Sequence, residues 1–300
     1  MGVGICTDDS ADYMGRLQCR TKLTSILIYQ WINDTVHAGG LGHFQACVSS
    51  NVPLPECVHS TIGKPILKYF QGVMREPVAM CFSGGKDSMM AFQALHNDDR
   101  YEVVDLITTV TDAYDRVSMH GTRRSLLRLQ CAAIGLPVTE VVVPPEATNA
   151  IYEKRMGQAF ATTAAKGLRK VVFGDIFLED LRAYRENQIA SFGLTGVFPL
   201  WKQSTRTLSR QFITDGFRAI AVCVHAKVLN ASFAGRSFDM SFLNDLPTGA
   251  DPCGENGEFH TFVHSGPVLS APVLFSHGNT VRRGDFFYHD LQPAYGDDCA

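Results

Sequence analysis

Val78-Ala-Met-Cys-Phe82 runs directly into Ser83-Gly84-Gly85-Lys86-Asp87-Ser88, and the reading of this stretch decides the rest. A short apolar run predicts a buried strand, two glycines predict a sharp reversal, and Lys86–Leu95 has the composition of a helix. Glycines at such a turn let backbone N–H groups approach an anion closely. The helix start adds unpaired N–H groups and the positive end of its dipole. Ser83 and Ser88 supply hydroxyl donors, Lys86 a charge to neutralise phosphate, and Asp87 a carboxylate for Mg²⁺ or for capping the helix. Other phosphate and nucleophile motifs do not fit. A Walker loop would need glycine where Met80 stands, a dinucleotide fingerprint is absent, and Cys81 occupies the position a nucleophile elbow reserves for glycine.

Outward from that turn the chain alternates. Strands are predicted at Val103–Val110, Val138–Val143 and Lys170–Phe173, and helices at Gly121–Ile134, Thr148–Lys166 and Leu178–Phe192. Such alternation implies an α/β fold, a parallel sheet with helices on both faces and its ligand at the carboxyl edge of the strands. After Gly193 the pattern changes: Thr205–Asp215 reads as a helix, Ala219–Val224 as a strand, Phe242–Leu246 as a short helix, and strand-like pieces follow at Val273–Phe275 and Asp285–Tyr288. We therefore expect a nucleotide-binding domain over 74–193 and a smaller α+β substrate domain over 194–300. Residues 1–73 match neither pattern. They read as an accessory or disordered extension, or as an upstream misassignment of a start at Met74.

Composition bounds the function. The 300 residues are 45% hydrophobic and 19% charged, in the range of folded soluble proteins. A net charge of −3 argues against a strongly basic nucleic-acid binder. The nine cysteines form no C-x-x-C pair, which points to a reducing, cytoplasmic compartment and away from zinc or iron–sulfur ligation. The apolar run at Leu23–Ile32 is too short to span a membrane.

The Ser-Gly-Gly-Lys-Asp-Ser turn resembles the PP-loop of ATP pyrophosphatases in the adenine nucleotide alpha-hydrolase (HUP-like) superfamily. Later stretches narrow the resemblance. They are His120-Gly121 with Gln130-Cys-Ala132; Gly174-Asp175-Ile176 with Arg182, Glu186 and Asn187; Pro199-Leu-Trp201; and Asp251-Pro-Cys-Gly-Glu255-Asn-Gly-Glu258-Phe-His260-Thr261. Together, over about residues 77–270, they resemble the diphthine–ammonia ligase family. That resemblance implies an ATP-dependent amide ligase forming AMP and pyrophosphate. It would adenylate a carboxylate, a modified histidine on a translation factor being the candidate acceptor, for attack by ammonia. ATP and Mg²⁺ are the implied cofactors.

The resemblance assigns Ser83 to Ser88, His120, Gly174 and Asp175 to ATP, with Asp87 as the candidate Mg²⁺ ligand. Arg182, Asn187, Trp201 and Asn256 fall to the acceptor. Lys86, Asp87, Glu186, Glu255, Glu258 and His260 are the candidate catalytic residues. Plain structural readings stand beside these. Gly174-Asp175 would serve as a turn and helix cap, Arg182 and Glu186 as a surface i,i+4 pair, and Trp201 as core. Asn256-Gly257 is a tight-turn signal. A hairpin tip there would present Glu255, Glu258 and His260 to hold Mg²⁺, to recognise ammonium, or to take a proton from an amine. Cys253, lacking a partner thiol, reads as structural. The family pattern has glycine and an acid where this chain has Asn256 and His260, a difference that bears on the acceptor rather than on ATP. Two alternatives remain open at this point: a PP-loop tRNA-modifying enzyme, and a non-catalytic nucleotide sensor.

Overall fold

Strand β1 (Glu76–Cys81) carries apolar side chains on both faces, and Val78, Ala79 and Met80 are fully buried. A strand of this kind belongs in the middle of a parallel sheet. Our computed structural model describes residues 75–294, so the expectation for residues 1–73 lies outside the described residues. Gly84 turns the chain with φ +78°, Gly85 returns it to an extended conformation, and helix α1 (Lys86–His96) begins. Then follow β2 (Tyr101–Thr111), β3 (Arg116–Val117), α2 (Arg124–Ile134), β4 (Val138–Val143), α3 (Asn149–Ala165), β5 (Lys170–Val172), α4 (Glu179–Ala190) and β6 (Thr195–Val197). The parallel strands lie in the order β4-β2-β1-β5-β6, with β3 adding a short antiparallel pairing to the end of β2. The chain builds outward from β1 through β2 to β4, then crosses back to the other side of β1. The crossover therefore falls between β1 and β5. Their carboxyl ends carry Ser83–Ser88 and Gly174-Asp175, and open α/β sheets bind ligands at this position.

The second part comprises α5 (Thr205–Thr214), β7 (Arg218–His225), α6 (Met240–Asp245), β8 (Phe259–Ser265), β9 (Phe275–Arg283) and β10 (Phe286–Pro293). Its strands form an antiparallel sheet in the order β8-β7-β10-β9. Four strands depart from the sequence reading: β3, β6, β8 and most of β9 lie outside the expected ones. β6 has three residues and includes Gly196, too short to show a period. Asn256-Gly257 does not form a hairpin tip. The turn precedes β8, which pairs with β7 across a long connection, so Phe259, His260 and Thr261 are strand residues.

One continuous core joins the two sheets. Val78, Met80, Met89 and Phe92 pack with Phe212, Phe238, Phe242, Phe259 and Val263. The opposite face of β1 and β5 packs Ala79, Val171 and Phe173 against Phe160 of α3 and Ile189 of α4. Asp290 of β10 reaches the first part, where its two carboxylate oxygens meet Arg116 (2.8 Å) and Arg123 (2.9 Å). Burial works against its charge, but the two guanidiniums hold its carboxyl well below the usual range. Among the described residues no helix is long and apolar enough to cross a membrane.

Candidate active site

The phosphate loop is fixed from the antiparallel sheet. Val263 N–H donates to the Gly84 carbonyl (3.0 Å), and Gln130 Nε2 donates to Gly84 O (3.0 Å) and Val263 O (2.5 Å). Lys86 N–H, the first of α1, donates to Thr261 Oγ1 at 3.0 Å. Gly85 has no room for a side chain, since a Cβ would come within 2.9 Å of His120 Cε1 and 3.0 Å of Thr261 O. Ser83 Oγ accepts from Gly85 N–H at 3.3 Å and lies 3.4 Å from Ser88 Oγ, which donates to Gly85 O at 2.9 Å. Gln130 and Thr261 were not singled out as site residues in the sequence. Both hold backbone atoms of the loop with their side chains, a role that residue type does not reveal.

Lys86 does not project freely towards a phosphate, as the sequence suggested. Its side chain is 3% exposed. It donates to both oxygens of Asp87 (2.7 and 2.9 Å) and to the Cys253 carbonyl, and it lies over the Phe259 ring at 5.2 Å. First-turn side chains lean back towards the helix start, and here that direction leads into the core between the sheets. Burial opposes the charge, yet Asp87 beside it keeps the ammonium above its ordinary pKa. Burial pushes the Asp87 carboxyl upward against the pull of Lys86.

Gly174 brings the two loops into contact. A Cβ there would stand 3.1 Å from Asp87 C and Ser88 N and 3.2 Å from Asp87 O, all backbone atoms of the first turn of α1. Asp175 is 8% exposed and pairs with Arg185 of α4 at 2.7 Å, so it is more than a helix cap. Arg185 was missed by sequence reasoning. Its spacing of three from Arg182 on a helix could have drawn attention to it.

Residues 251–261 divide in role. Glu255 Oε1 accepts from Ile176 N–H (2.7 Å), which bridges this loop to the one after β5. Burial raises its pKa to about 7. The Ile176 bond works the other way, and the negative charges of Asp87 and Asp175 add to the rise. Glu258, a candidate catalytic acid, is 5% exposed and committed to its own loop. It accepts from Asp251 N–H (2.9 Å), Asn256 N–H (3.0 Å) and Asn256 Nδ2 (3.1 Å). Through those bonds Glu258 and Asn256 shape the turn that carries Glu255. Cys253 is buried, and burial drives its thiol upward.

The His260 and His120 rings meet at a tilt, with centroids 4.5 Å apart. Burial lowers His120 to about 4 against a weaker hydrogen bond to Thr261 O, and nearby Lys86 lowers it further. Burial lowers His260 in the same direction. Both rings are neutral near pH 7, so His260 does not offer an acid.

Arg182 and Glu186 do form the i,i+4 pair, at 2.9 Å. The Arg182 guanidinium also lies 4.6 Å from both the Phe198 and Trp201 rings. Lys202 N–H donates to Ile176 O (2.7 Å), so this aromatic corner adjoins the Asp175 loop. Asn187, expected at the acceptor site, is exposed on α4. Among the described residues no group of three or more His, Cys, Asp or Glu side chains forms a metal cage.

A parallel sheet with a Gly-Gly anion loop at its crossover, overlaid by a second sheet that lends a titratable carboxylate, defines an ATP-dependent ligase of the PP-loop class. Residues 75–195 match the family model for the diphthamide synthase N-terminal domain, and residues 204–281 that for the diphthamide synthase C-terminal domain. The chain belongs to the diphthamide synthase family, the diphthine–ammonia ligases. No curated protein matches it. The family assignment leaves the tRNA-modifying and nucleotide-sensor readings without support.

Proposed function

We propose that Ser83–Ser88 and Gly174 hold the phosphates of ATP, that Asp175 accepts from donor groups of the nucleotide, and that Glu255, Arg182 and Trp201 face the acceptor and the nitrogen donor. The contact of Gly174 with the first turn of α1, with Glu255 bonded to the same β5 loop, carries this reading. In the reaction an acceptor carboxylate oxygen attacks the α-phosphorus of ATP and pyrophosphate leaves. Ammonia then attacks the acyl carbon, and AMP departs as the amide forms. Backbone donors at the loop meet the charge that develops on the leaving phosphates. Glu255, poised near pH 7, takes a proton as ammonium becomes ammonia. Mg²⁺ commonly binds through phosphates with one or two carboxylates rather than in a protein cage. The repulsion between Asp87 and Glu255 suits a divalent cation, and Asp87 is the residue we assign to it. It would neutralise the pyrophosphate that leaves.

The acceptor we assign is diphthine on elongation factor 2, which places the reaction in the cytoplasm. Incubation with ATP, Mg²⁺, ammonium and the diphthine form of the factor should release AMP and pyrophosphate and add the mass change of an amide. Release of ADP and phosphate would overturn the mechanism. Turnover only with a different carboxylate would overturn the acceptor alone.

A further inference from the structure

Arg185 grips both sides of the glycine that joins the two loops. Its Nε stands 2.7 Å from Asp175 Oδ2, with the side chains 25% and 9% exposed. Its guanidinium lies 4.9 Å from the ring of Phe173. Phe173 precedes Gly174 and Asp175 follows it, so one side chain holds the residues flanking the contact with α1. The other titratable neighbours carry no charge near neutral pH. Burial pushes the Cys81 thiol to about 12 and raises the Tyr152 hydroxyl. Among these neighbours Asp175 is thus the carboxylate that faces the Arg185 guanidinium. The pair also lies off the hydrogen-bond line, and neither Asp175 Oδ2 nor Arg185 Nε has an aligned hydrogen bond. Charge and stacking hold Asp175 through its buried Oδ2, which leaves Oδ1 for a donor on a ligand.

We propose that Arg185 is a positioning residue for nucleotide binding. Through its ion pair with Asp175 and its stack on Phe173, it fixes Asp175 beside the start of α1 to accept hydrogen bonds from the nucleotide. This rests on the reading that Asp175 contacts ATP.

The test is calorimetry of the full chain with α,β-methylene-ATP, alongside steady-state kinetics. Asp175→Asn and Arg185→Met should each weaken binding by about tenfold, the scale of one charged hydrogen bond. Their effect should fall on KM for ATP more than on kcat. Arg185→Lys should recover most of the loss. The double variant should bind no worse than Asp175→Asn alone, because both changes remove one interaction. If Arg185→Met does not fold, the double variant, with both charges gone, is compared with Asp175→Asn directly. Losses that multiply in the double variant would overturn the proposal. So would wild-type binding by Arg185→Met when Asp175→Asn has lost tenfold. Wild-type binding by Asp175→Asn would instead overturn the underlying placement of Asp175.

Discussion

Replacing Gly174 by alanine tests the crossover contact at the centre of the site. The added Cβ would meet Asp87 C, Ser88 N and Asp87 O at 3.1, 3.1 and 3.2 Å. These are backbone atoms, so no rotamer change relieves the contact. Either α1 or the β5 loop must move by a few tenths of an ångström. Overpacking of this kind costs roughly 1–3 kcal/mol, offset in part by about 0.4–1 kcal/mol from the stiffer unfolded chain. At roughly 2–4 °C per kcal/mol, the net cost should lower the melting temperature by up to about 10 °C. The displaced atoms include N–H donors of the first turn of α1. Misplacement by about 1 Å can cost a hundredfold, so a shift of tenths should weaken kcat/KM for ATP by about tenfold. Gly193→Ala is the control. It has φ +70° and nothing within 4 Å of its would-be Cβ, so it carries backbone strain without a contact. Calorimetry with an ATP analogue and thermal melts on both variants separate the effects. The control should lose stability and keep nucleotide affinity. Wild-type affinity in Gly174→Ala would refute the claim that this turn of α1 receives the nucleotide.

Two pH effects follow from buried groups. His120 is held near 4 by burial, below its unfolded value of about 6.5, so the unfolded chain binds the extra proton first. Its stability contribution is whole above pH 6.5 and is lost as pH falls towards 4. At pH 5 the loss is about 2 kcal/mol. Denaturant melts should show wild type losing about that much more than His120→Gln between pH 7 and pH 5, and parallel losses would contradict the assignment. Glu255 runs the opposite way. Its pKa of about 7 exceeds the unfolded value, so it favours folding most below pH 4.5 and loses that contribution as pH rises through 7. Discounted for partial exposure, Glu255→Gln should gain about 1–2 kcal/mol over wild type between pH 5 and pH 8. Its turnover with ammonium should fall. A stability difference that does not change with pH would count against the raised pKa.

The main helices and the buried strands were legible because hydrophobic period and turn residues act over a few neighbours. The stop of α2 at Gly135, in the left-handed region at φ +82°, is one case. The exposed strand β9 was not legible. Most of its residues face solvent, and its pairing with β10 alone makes it a strand. Glu258 and Glu255 show the same limit within the site. They are three residues apart in one acidic stretch, yet Glu258 satisfies backbone donors of its own loop while Glu255 reaches across to Ile176.

By itself the sequence determined the strand, the glycine reversal and the helix of the phosphate loop, because each rests on local backbone freedom and side-chain type. It also determined the family through motifs spread from the first strand to His260-Thr261. Only the tertiary structure decided what those residues face. It turned Lys86 inward to Asp87 and Cys253, put Thr261 on the first N–H of α1, and set Arg185 on Asp175. These partners are distant in sequence or on separate elements, and burial in one core fixes which polar groups must meet.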